Sequence, residues 1–288
     1  HTRTIFQFPK PTWLENIAAT RTGHLLVGVL GKPSGPAELH IVDPSTPNTT
    51  ATLLATFQAA DSVFGISEYA PDHFAVAAGN YSPSGGGSTP GSYAVWSVNV
   101  GAYLEGTWDA PRVRKIADVP GAQIINGVAA LSEKAVLLAD SLAGTILRLD
   151  IATGKTVTVV EDKSTRFAAP LGVNGLKVSH ATAPPKIFYT NSALNATFSA
   201  HVDARTGRLV GAVEKVGDVG TPDDLTVADD GAAFVARPYA GTVERVRAGE
   251  AAVVVAGSEG SEVVQGATSL ALGRGWADRG VVYLGTMG

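Results

Sequence analysis

The chain has 288 residues, of which 45% are hydrophobic and 17% charged, a composition typical of a well-cored globular protein and not of a disordered one. Its net charge of −4, without a basic stripe, argues against nucleic acid as a partner, and no apolar run approaches the roughly 20 residues needed to span a bilayer. The absence of cysteine excludes disulfides, thiolate metal sites and cysteine nucleophiles.

Short apolar or alternating segments, separated by Gly, Pro, Asp and Asn, predict strands along the whole chain. In chain order they are residues 4–8, 25–29, 39–42, 74–77, 93–96, 136–139, 146–149, 156–160, 187–189, 233–236, 242–245 and 281–284. No window has a convincing helical period.

A short phrase recurs six times between these segments. The copies are Glu15-Asn-Ile-Ala, Phe64-Gly-Ile-Ser, Asn126-Gly-Val-Ala, Asn174-Gly-Leu-Lys, Asp223-Asp-Leu-Thr and Ala267-Thr-Ser-Leu. Their intervals of 49, 62, 48, 49 and 44 residues are typical of propeller blades. We therefore predict that residues 1–288 form one all-β domain, a six-bladed β-propeller. The longest interval contains residues 82–91, whose Ser, Gly and Pro predict a flexible loop inserted beside the tunnel mouth.

The two ends of the chain are expected to complete the last blade together. After Ala267 the sequence supplies only about two strands, whereas residues 4–8 predict a strand that has no blade of its own. Pairing this N-terminal strand with the last blade would close the ring and remove a free sheet edge.

Four of the six phrases begin with an oxygen-bearing side chain, namely Glu15, Asn126, Asn174 and Asp223. Six blades bring six chain segments around one tunnel, so these side chains are expected to converge there. Carboxylate and amide oxygens are the ligands that Ca²⁺ and similar hard cations prefer. Asn-Gly and Asp-Asp are also common turn dipeptides, so the spacing leaves a cation site and a turn role both open.

Large apolar side chains lie at or near the predicted blade openings. An apolar lining with a few polar groups is the usual composition of a small-molecule pocket, although packing between blades would also use these residues. The predicted substrate-binding set is Trp13, Phe64, Ile125, Phe167, Tyr239 and Met287. We assign no catalytic role to any of the six histidines, and no Ser-His-Asp pattern or Gly-x-Ser-x-Gly elbow is recognisable.

The phrases resemble motifs of the senescence-marker-protein-30, gluconolactonase and strictosidine-synthase-like six-bladed propellers over nearly the whole chain. In the lactonases of this superfamily an early Glu, the Asn of an Asn-Gly-Leu and the Asp of a Pro-Asp-Gly bind a divalent cation. The resemblance carries these roles to Glu15, Asn174 and Asp223. The chain departs from the pattern at Asp224, which replaces the motif glycine. It departs again at residues 125–128, which lack the acid and lysine that help to hold sugar lactones.

A second, more specific set of sequence motifs resembles a fungal branch of the superfamily, many members of which are secreted. The shared phrases start at Glu15, Gly65, Phe74, Asn126, Ala139, Leu171 and Tyr189. Some members of that branch are hetero-Diels–Alderases, which join a tropolone-derived quinone methide to a sesquiterpene alkene. The resemblance implies a pericyclase of secondary metabolism that needs no cofactor. Asn126, Asn174 and Tyr189 would then donate hydrogen bonds to a carbonyl oxygen that gains charge.

Two other functions stay open at this stage. One is a lactonase or esterase in which Glu15, Asn174 and Asp223 hold Ca²⁺ or another divalent cation. The other is a propeller that binds a hydrophobic small molecule without turnover. Sequons at Asn48, Asn80 and Asn195, together with a first residue other than Met, favour the secretory pathway or an extracellular location. Nothing in the sequence indicates the oligomeric state.

Overall fold

The computed structural model describes residues 1–32, 35–46, 48–260 and 262–288. These residues form an all-β propeller of antiparallel sheets, and within them the only α-helix is the single turn α1 (Gly101–Leu104). The prediction of an all-β propeller is therefore confirmed. No helix of the described residues is long and apolar enough to cross a membrane.

Five four-stranded sheets follow one another along the chain. The first contains β1 (Trp13–Ala19), β2 (Leu25–Leu30), β3 (Ala37–Val42) and β4 (Ala51–Phe57). The second contains β5 (Ser62–Ala70), β6 (His73–Gly79), β9 (Ala94–Asn99) and β10 (Arg112–Asp118), with a small hairpin of β7 (Tyr81–Ser82) and β8 (Gly87–Ser88) inserted. The third contains β11 (Ile125–Ser132), β12 (Ala135–Asp140), β13 (Thr145–Asp150) and β14 (Thr156–Val160).

The fourth sheet contains β15 (Val173–Ser179), β16 (Lys186–Asn191), β17 (Ala196–His201) and β18 (Glu214–Asp218). The fifth contains β19 (Leu225–Val227), β20 (Ala233–Arg237), β21 (Thr242–Val246) and β22 (Val253–Gly257), and a last sheet pairs β23 (Ala267–Leu272) with β24 (Val282–Thr286). The first strand of each sheet contacts the first strands of its neighbours, and β23 contacts both β19 and β1. The first strands therefore surround the central tunnel.

The last sheet has two strands, and residues 4–8 form no strand beside it. Side chains of this N-terminal segment instead pack on an apolar cluster shared by the first and last sheets, which includes Val27 and Tyr283. A single antiparallel bridge between Trp13 and Met287 also joins the two ends of the chain. These contacts join the two ends of the chain. The predicted pairing of residues 4–8 as a strand is not observed, and six complete blades stay a prediction.

Five of the six recurring phrases, all except the one that begins with Asp223, lie at β-bulges of the first strands. The pairing register shifts between Leu14 and Asn16, between Ile125 and Val128, and between Val173 and Leu176. A bulge inserts a residue into one strand, twists the strand locally and re-aims a side chain. The Asn-Gly dipeptides of the third and fourth sheets therefore belong to strands and not to turns.

A glycine in these bulges allows neighbouring sheets to approach closely. A Cβ at Gly127 would lie 2.6 Å from the carbonyl oxygen of Asn174 and 2.8 Å from the backbone nitrogen of Leu176. Both atoms belong to the backbone of the next sheet, so they cannot move away without disturbing its strand. The glycine after the lead residue is thus a packing requirement between sheets.

Candidate functional site

A cavity of about 180 Å³ opens at the end of the tunnel where the first strands begin. Four oxygen-bearing side chains face it from four different sheets, as the sequence predicted. Much of the remaining wall is apolar. The predicted residues that line the cavity are Trp13, Glu15, Phe64, Asn126, Asn174, Asp223, Tyr239 and Met287.

Two carboxylates of the cavity wall interact at close range although they come from the first and fifth sheets. Burial, followed by the charge of Asp224, raises the pKa of Asp223 to about 7 against the opposing effect of the hydrogen bond from Asn174. Burial also raises the pKa of Glu15 well above its ordinary value, and the charge of Asp223 adds to the effect. Both groups thus lie where the charged form is unfavourable unless a cation or a proton compensates it.

The side chain of Asn174 has its donors satisfied and its acceptor free. Its Nδ2 donates to Asp223 Oδ1 at 2.9 Å and to Ser192 Oγ at 3.0 Å. Ser192 Oγ in turn donates to the carbonyl oxygen of Pro222 at 2.7 Å, so that it can only accept from Asn174. The amide orientation is therefore chemically determined. It leaves Asn174 Oδ1 buried without a hydrogen-bond partner.

Hydrogen bonds hold the two carboxylates in place. Trp13 Nε1 donates to Glu15 Oε2 at 2.9 Å. The backbone of Asp223 is fixed on both sides, because its N–H donates to the carbonyl oxygen of Ala236 at 2.9 Å and its own carbonyl accepts from Thr190 Oγ1 at 2.5 Å. The carboxylates consequently have little freedom to move apart.

The donor set suits a hard cation. Among the described residues no three His, Asp or Glu side chains gather into a metal-binding group. The third protein ligand would therefore be an amide oxygen, and Asn174 Oδ1 is such an atom in an unpartnered state. Two carboxylates and an amide oxygen, with water completing the shell, are typical ligands of Ca²⁺.

The apolar wall is extended by the inserted hairpin. Tyr81 of β7 lines the cavity and packs edge-on against Phe64, with ring centroids 6.2 Å apart. The hairpin that carries the predicted insertion therefore begins at the cavity wall. Leu30, Ile124 and Leu171 also line the cavity. The repeated phrases could not indicate Leu30 or Tyr81. Leu30 ends the second strand of the first sheet and Tyr81 follows the second strand of the second sheet, and neither segment contains a copy of the phrase.

Three predicted site residues lie away from the cavity. Ile125 is fully buried in the core between the second and third sheets. Tyr189 is also fully buried, where its hydroxyl is 2.6 Å from Ser164 Oγ and its ring stacks on Phe198. Phe167 is exposed in the loop between β14 and β15. We therefore leave these three residues out of the proposals below.

A second polar group, which the sequence analysis did not identify, fills the tunnel behind the cavity. Asn16 Nδ2 donates to Asp224 Oδ2 at 3.1 Å, and Lys177 Nζ lies 2.9 Å from the same oxygen. Asn16 and Asp224 are the second residues of their phrases, where three other sheets carry glycine. That difference between the copies is the signal that could have identified this group.

Comparison with solved structures places the chain among known propellers. Regucalcin from Agrobacterium tumefaciens, described as a calcium-binding protein, is 17% identical with a TM-score of 0.62, covering 95% of this chain and 82% of that one. A luciferin-regenerating enzyme is also 17% identical, with a TM-score of 0.61 and coverage of 91% and 80%. Virginiamycin B lyase from Staphylococcus aureus is 10% identical, with a TM-score of 0.58 and coverage of 98% and 94%.

At these identities the likeness extends to the fold alone. No protein-family model matches the chain, and no curated protein matches it either. The shared architecture agrees with the propeller superfamily that the sequence motifs resemble. The chemistry of the site has to be argued from its own residues.

Proposed function

We propose that this protein is a divalent-cation-dependent hydrolase of an ester or lactone with an apolar body. The buried Asn174 Oδ1, which has no partner although the Nδ2 of the same amide is fixed, carries the proposal. A buried acceptor without a hydrogen-bond partner lowers the stability of the folded protein by roughly 1–3 kcal/mol. A cation shared with the Glu15 and Asp223 carboxylates would offset this loss and their mutual repulsion.

Each part of the wall has a distinct task in such a reaction. A bound divalent cation supplies Lewis-acid polarisation of the ester carbonyl and activation of water. Trp13 keeps Glu15 in one orientation through its indole N–H. Asn126 lines the cavity and is positioned to donate a hydrogen bond to the substrate carbonyl oxygen. The apolar side chains of Phe64, Ile124 and Met287 would hold the rest of the substrate and exclude water.

The size of the cavity favours this reaction over one that needs two large partners. Its volume of about 180 Å³ is below the ~300–1,000 Å³ of pockets that enclose drug-sized ligands. An ester or lactone group with part of its apolar body fits such a space. The remainder of the substrate would extend past Tyr239, which is 77% exposed at the mouth.

The proposal is tested by turnover on a panel of lactones and aryl esters with and without EDTA. We expect EDTA to abolish hydrolysis and excess Ca²⁺, Mg²⁺ or Zn²⁺ to restore it. Glu15→Gln and Asp223→Asn should be nearly inactive, whereas Phe64→Ala should retain measurable turnover. The surface variant Asp118→Asn serves as the matched carboxylate control. Full turnover in EDTA by protein that elemental analysis finds free of metal would contradict the proposal.

A second candidate is the hetero-Diels–Alder coupling of a quinone methide with a terpenoid alkene. It is supported by the phrases shared with the fungal branch and by the aromatic wall of Trp13, Phe64 and Tyr81. Such a catalyst works by holding two partners in a reactive pose, with amide donors on a carbonyl oxygen. Turnover would then be unaffected by EDTA. Asn126→Ala should reduce the rate by the equivalent of roughly 2.7–4 kcal/mol at most.

The two candidate functions differ in which variants should lose the most activity. In the pericyclase, Trp13→Ala and Phe64→Ala should reduce product formation about as much as Asn126→Ala, because positioning is the main contribution. In the hydrolase the carboxylate variants should be far worse than the aromatic ones. A protein that turns over neither panel but binds an apolar probe would instead be a small-molecule-binding propeller.

A further inference from the structure

The carboxylate behind the cavity occupies a position that is glycine in three other sheets. Asp224 follows Asp223 directly, and its side chain is 5% exposed. It fits there because the adjacent sheet has Gly175, where a Cβ would lie 2.5 Å from Asp224 Oδ1. The tunnel therefore contains a third buried carboxylate close to Glu15 and Asp223.

A cation from the neighbouring sheet neutralises this carboxylate. Lys177 Nζ lies 2.9 Å from Asp224 Oδ2 and 3.1 Å from Asp224 Oδ1, and the lysine side chain is 22% exposed. Asn16 donates to the same carboxylate, and Asn16 Oδ1 accepts from the backbone N–H of Ile66. The first strands of four sheets are thus joined by one polar network that spans the tunnel.

Along the chain, this network lies between the residues that line two cavities. The cavity with Asp223 lies at the beginning of β15 and β19, whereas Lys177, Ser179 and Thr226 line a second cavity towards the far ends of the same strands. The ammonium group of Lys177 thus belongs to this network and not to the cation ligands. Its charge reaches the ligands through Asp224, the chain neighbour of Asp223, whose carboxylate it contacts at 2.9 Å.

We propose that the Lys177–Asp224 ion pair, held by Asn16, is an internal counter-charge that adjusts the cation site to a divalent ion. This inference rests on the proposed cation-dependent function. With Asp224 neutralised by Lys177, the net charge presented to the ion is that of Glu15 and Asp223, which matches a 2+ cation. Lys177 and Asp224 are positioning residues in this scheme, because neither has to touch the substrate or the ion.

The test is titration of Ca²⁺ into wild-type protein and charge variants, followed by isothermal calorimetry. Asp224→Asn should weaken Ca²⁺ binding at least about ten-fold, since the Lys177 charge would then oppose the ion. Lys177→Gln should tighten binding, because three carboxylates would face the ion. The double variant Lys177→Gln/Asp224→Asn restores a neutral pair and should bind within about three-fold of wild type.

Thermal melting gives a second readout that does not depend on turnover. Lys177→Gln leaves Asp224 buried without a counter-charge, so the melting temperature of this variant in EDTA should be below that of wild type. Adding Ca²⁺ should raise the melting temperature of the variant by more than it raises that of wild type. Lys115→Gln removes the lysine of an exposed pair with Asp118 and is the matched control, with unchanged binding. Asp224→Asn is close to isosteric, so the proposal stays falsifiable if Lys177→Gln fails to fold.

The outcomes distinguish this inference from the function on which it rests. Wild-type protein that binds Ca²⁺ while Asp224→Asn binds it equally tightly would overturn the counter-charge and leave the cation site intact. Wild-type protein that binds no Ca²⁺, Mg²⁺ or Zn²⁺ would overturn both. Opposite changes in affinity for the two single variants, cancelled in the double variant, would support the counter-charge.

Discussion

At the scale of single residues, the site is governed by three acidic side chains and one amide in a nearly closed tunnel. Burial and mutual repulsion disfavour the charged forms of Glu15 and Asp223, and Asn174 contributes an acceptor with no partner. Each of these features is unfavourable in the free protein. A bound cation would relieve all of them at once. In the free protein, the raised pKa values of the two carboxyl groups should make the stability depend on pH.

We expect the metal-free protein to lose stability as pH rises from about 4 to about 7. The pKa of Asp223 is about 7 in the folded chain, against an ordinary value of 3.8, so the folded state keeps a proton that the unfolded state has released. The folded state therefore binds more protons in this window, and the free energy of unfolding falls with increasing pH until Asp223 is ionised. Melting temperatures in EDTA across this range measure the effect.

Asp223→Asn supplies the control for the pH prediction. Without an ionisable group at this position, the part of the decline due to Asp223 should disappear and the melting temperature should vary less between pH 4 and 7. Excess Ca²⁺ should also flatten the wild-type profile. A wild-type melting temperature that rises steadily through this window in EDTA would contradict the assignment.

At the scale of elements, the bulges of the first strands determine what reaches the tunnel. Bulges lie at the phrases that begin with Glu15, Phe64, Asn126 and Asn174, and these four lead side chains line the cavity. Ile124 lines the cavity while Ile125, its neighbour in sequence, lies in the core between sheets, because successive side chains of an extended segment point to opposite faces. A shift of one residue in a strand reverses the face of every side chain.

Gly127→Ala tests the packing between first strands. The new Cβ would meet backbone atoms of Asn174 and Leu176, so we expect a loss of roughly 1–3 kcal/mol in the free energy of unfolding, measured by urea denaturation. Gly121→Ala is the matched control, because a Cβ there would have no heavy atom within 4 Å. Equal stability of the two variants would show that the neighbouring strand can yield, contrary to this account.

At the scale of the whole molecule, the ends of the chain meet at the junction of the first and last sheets. Ile5, Phe6 and Phe8 pack on a cluster that includes residues of both sheets, and the ring of Phe8 lies 5.3 Å from that of His40 in β3. The last sheet has two strands, so this junction depends on apolar contacts more than the other junctions do.

Deletion of residues 1–9 should therefore lower the melting temperature markedly, because three apolar side chains would leave the junction. Burial of one such side chain contributes roughly 1.5–3 kcal/mol. Deletion of residues 1–4, which are exposed, is the control and should have little effect. If both truncated proteins melted like the full chain, the N-terminal segment would have no part in closing the ring.

The sequence by itself determined the all-β propeller class and the polar lead residues that line the cavity. The repeated phrase indicated which strands surround the tunnel, because a propeller requires an equivalent first strand in each sheet, and the lead residues Glu15, Asn126, Asn174 and Asp223 do line one cavity. A repeat of this kind can be recognised in one sequence, because each copy is a short stretch of neighbouring residues.

Only the tertiary structure decided which side chains reach the cavity and how the buried charges pair. Tyr189 lies in a strand that the sequence predicted, but its hydroxyl turns to Ser164 within the fourth sheet's core and not to the cavity. Asn16 and Asp224 are 208 positions apart and meet across the tunnel with Lys177. These pairings depend on bulge register and on contacts between sheets. Because such contacts are set by the close packing of distant segments, the sequence could mark Asn16 and Asp224 as unusual but could not show that they pair with each other.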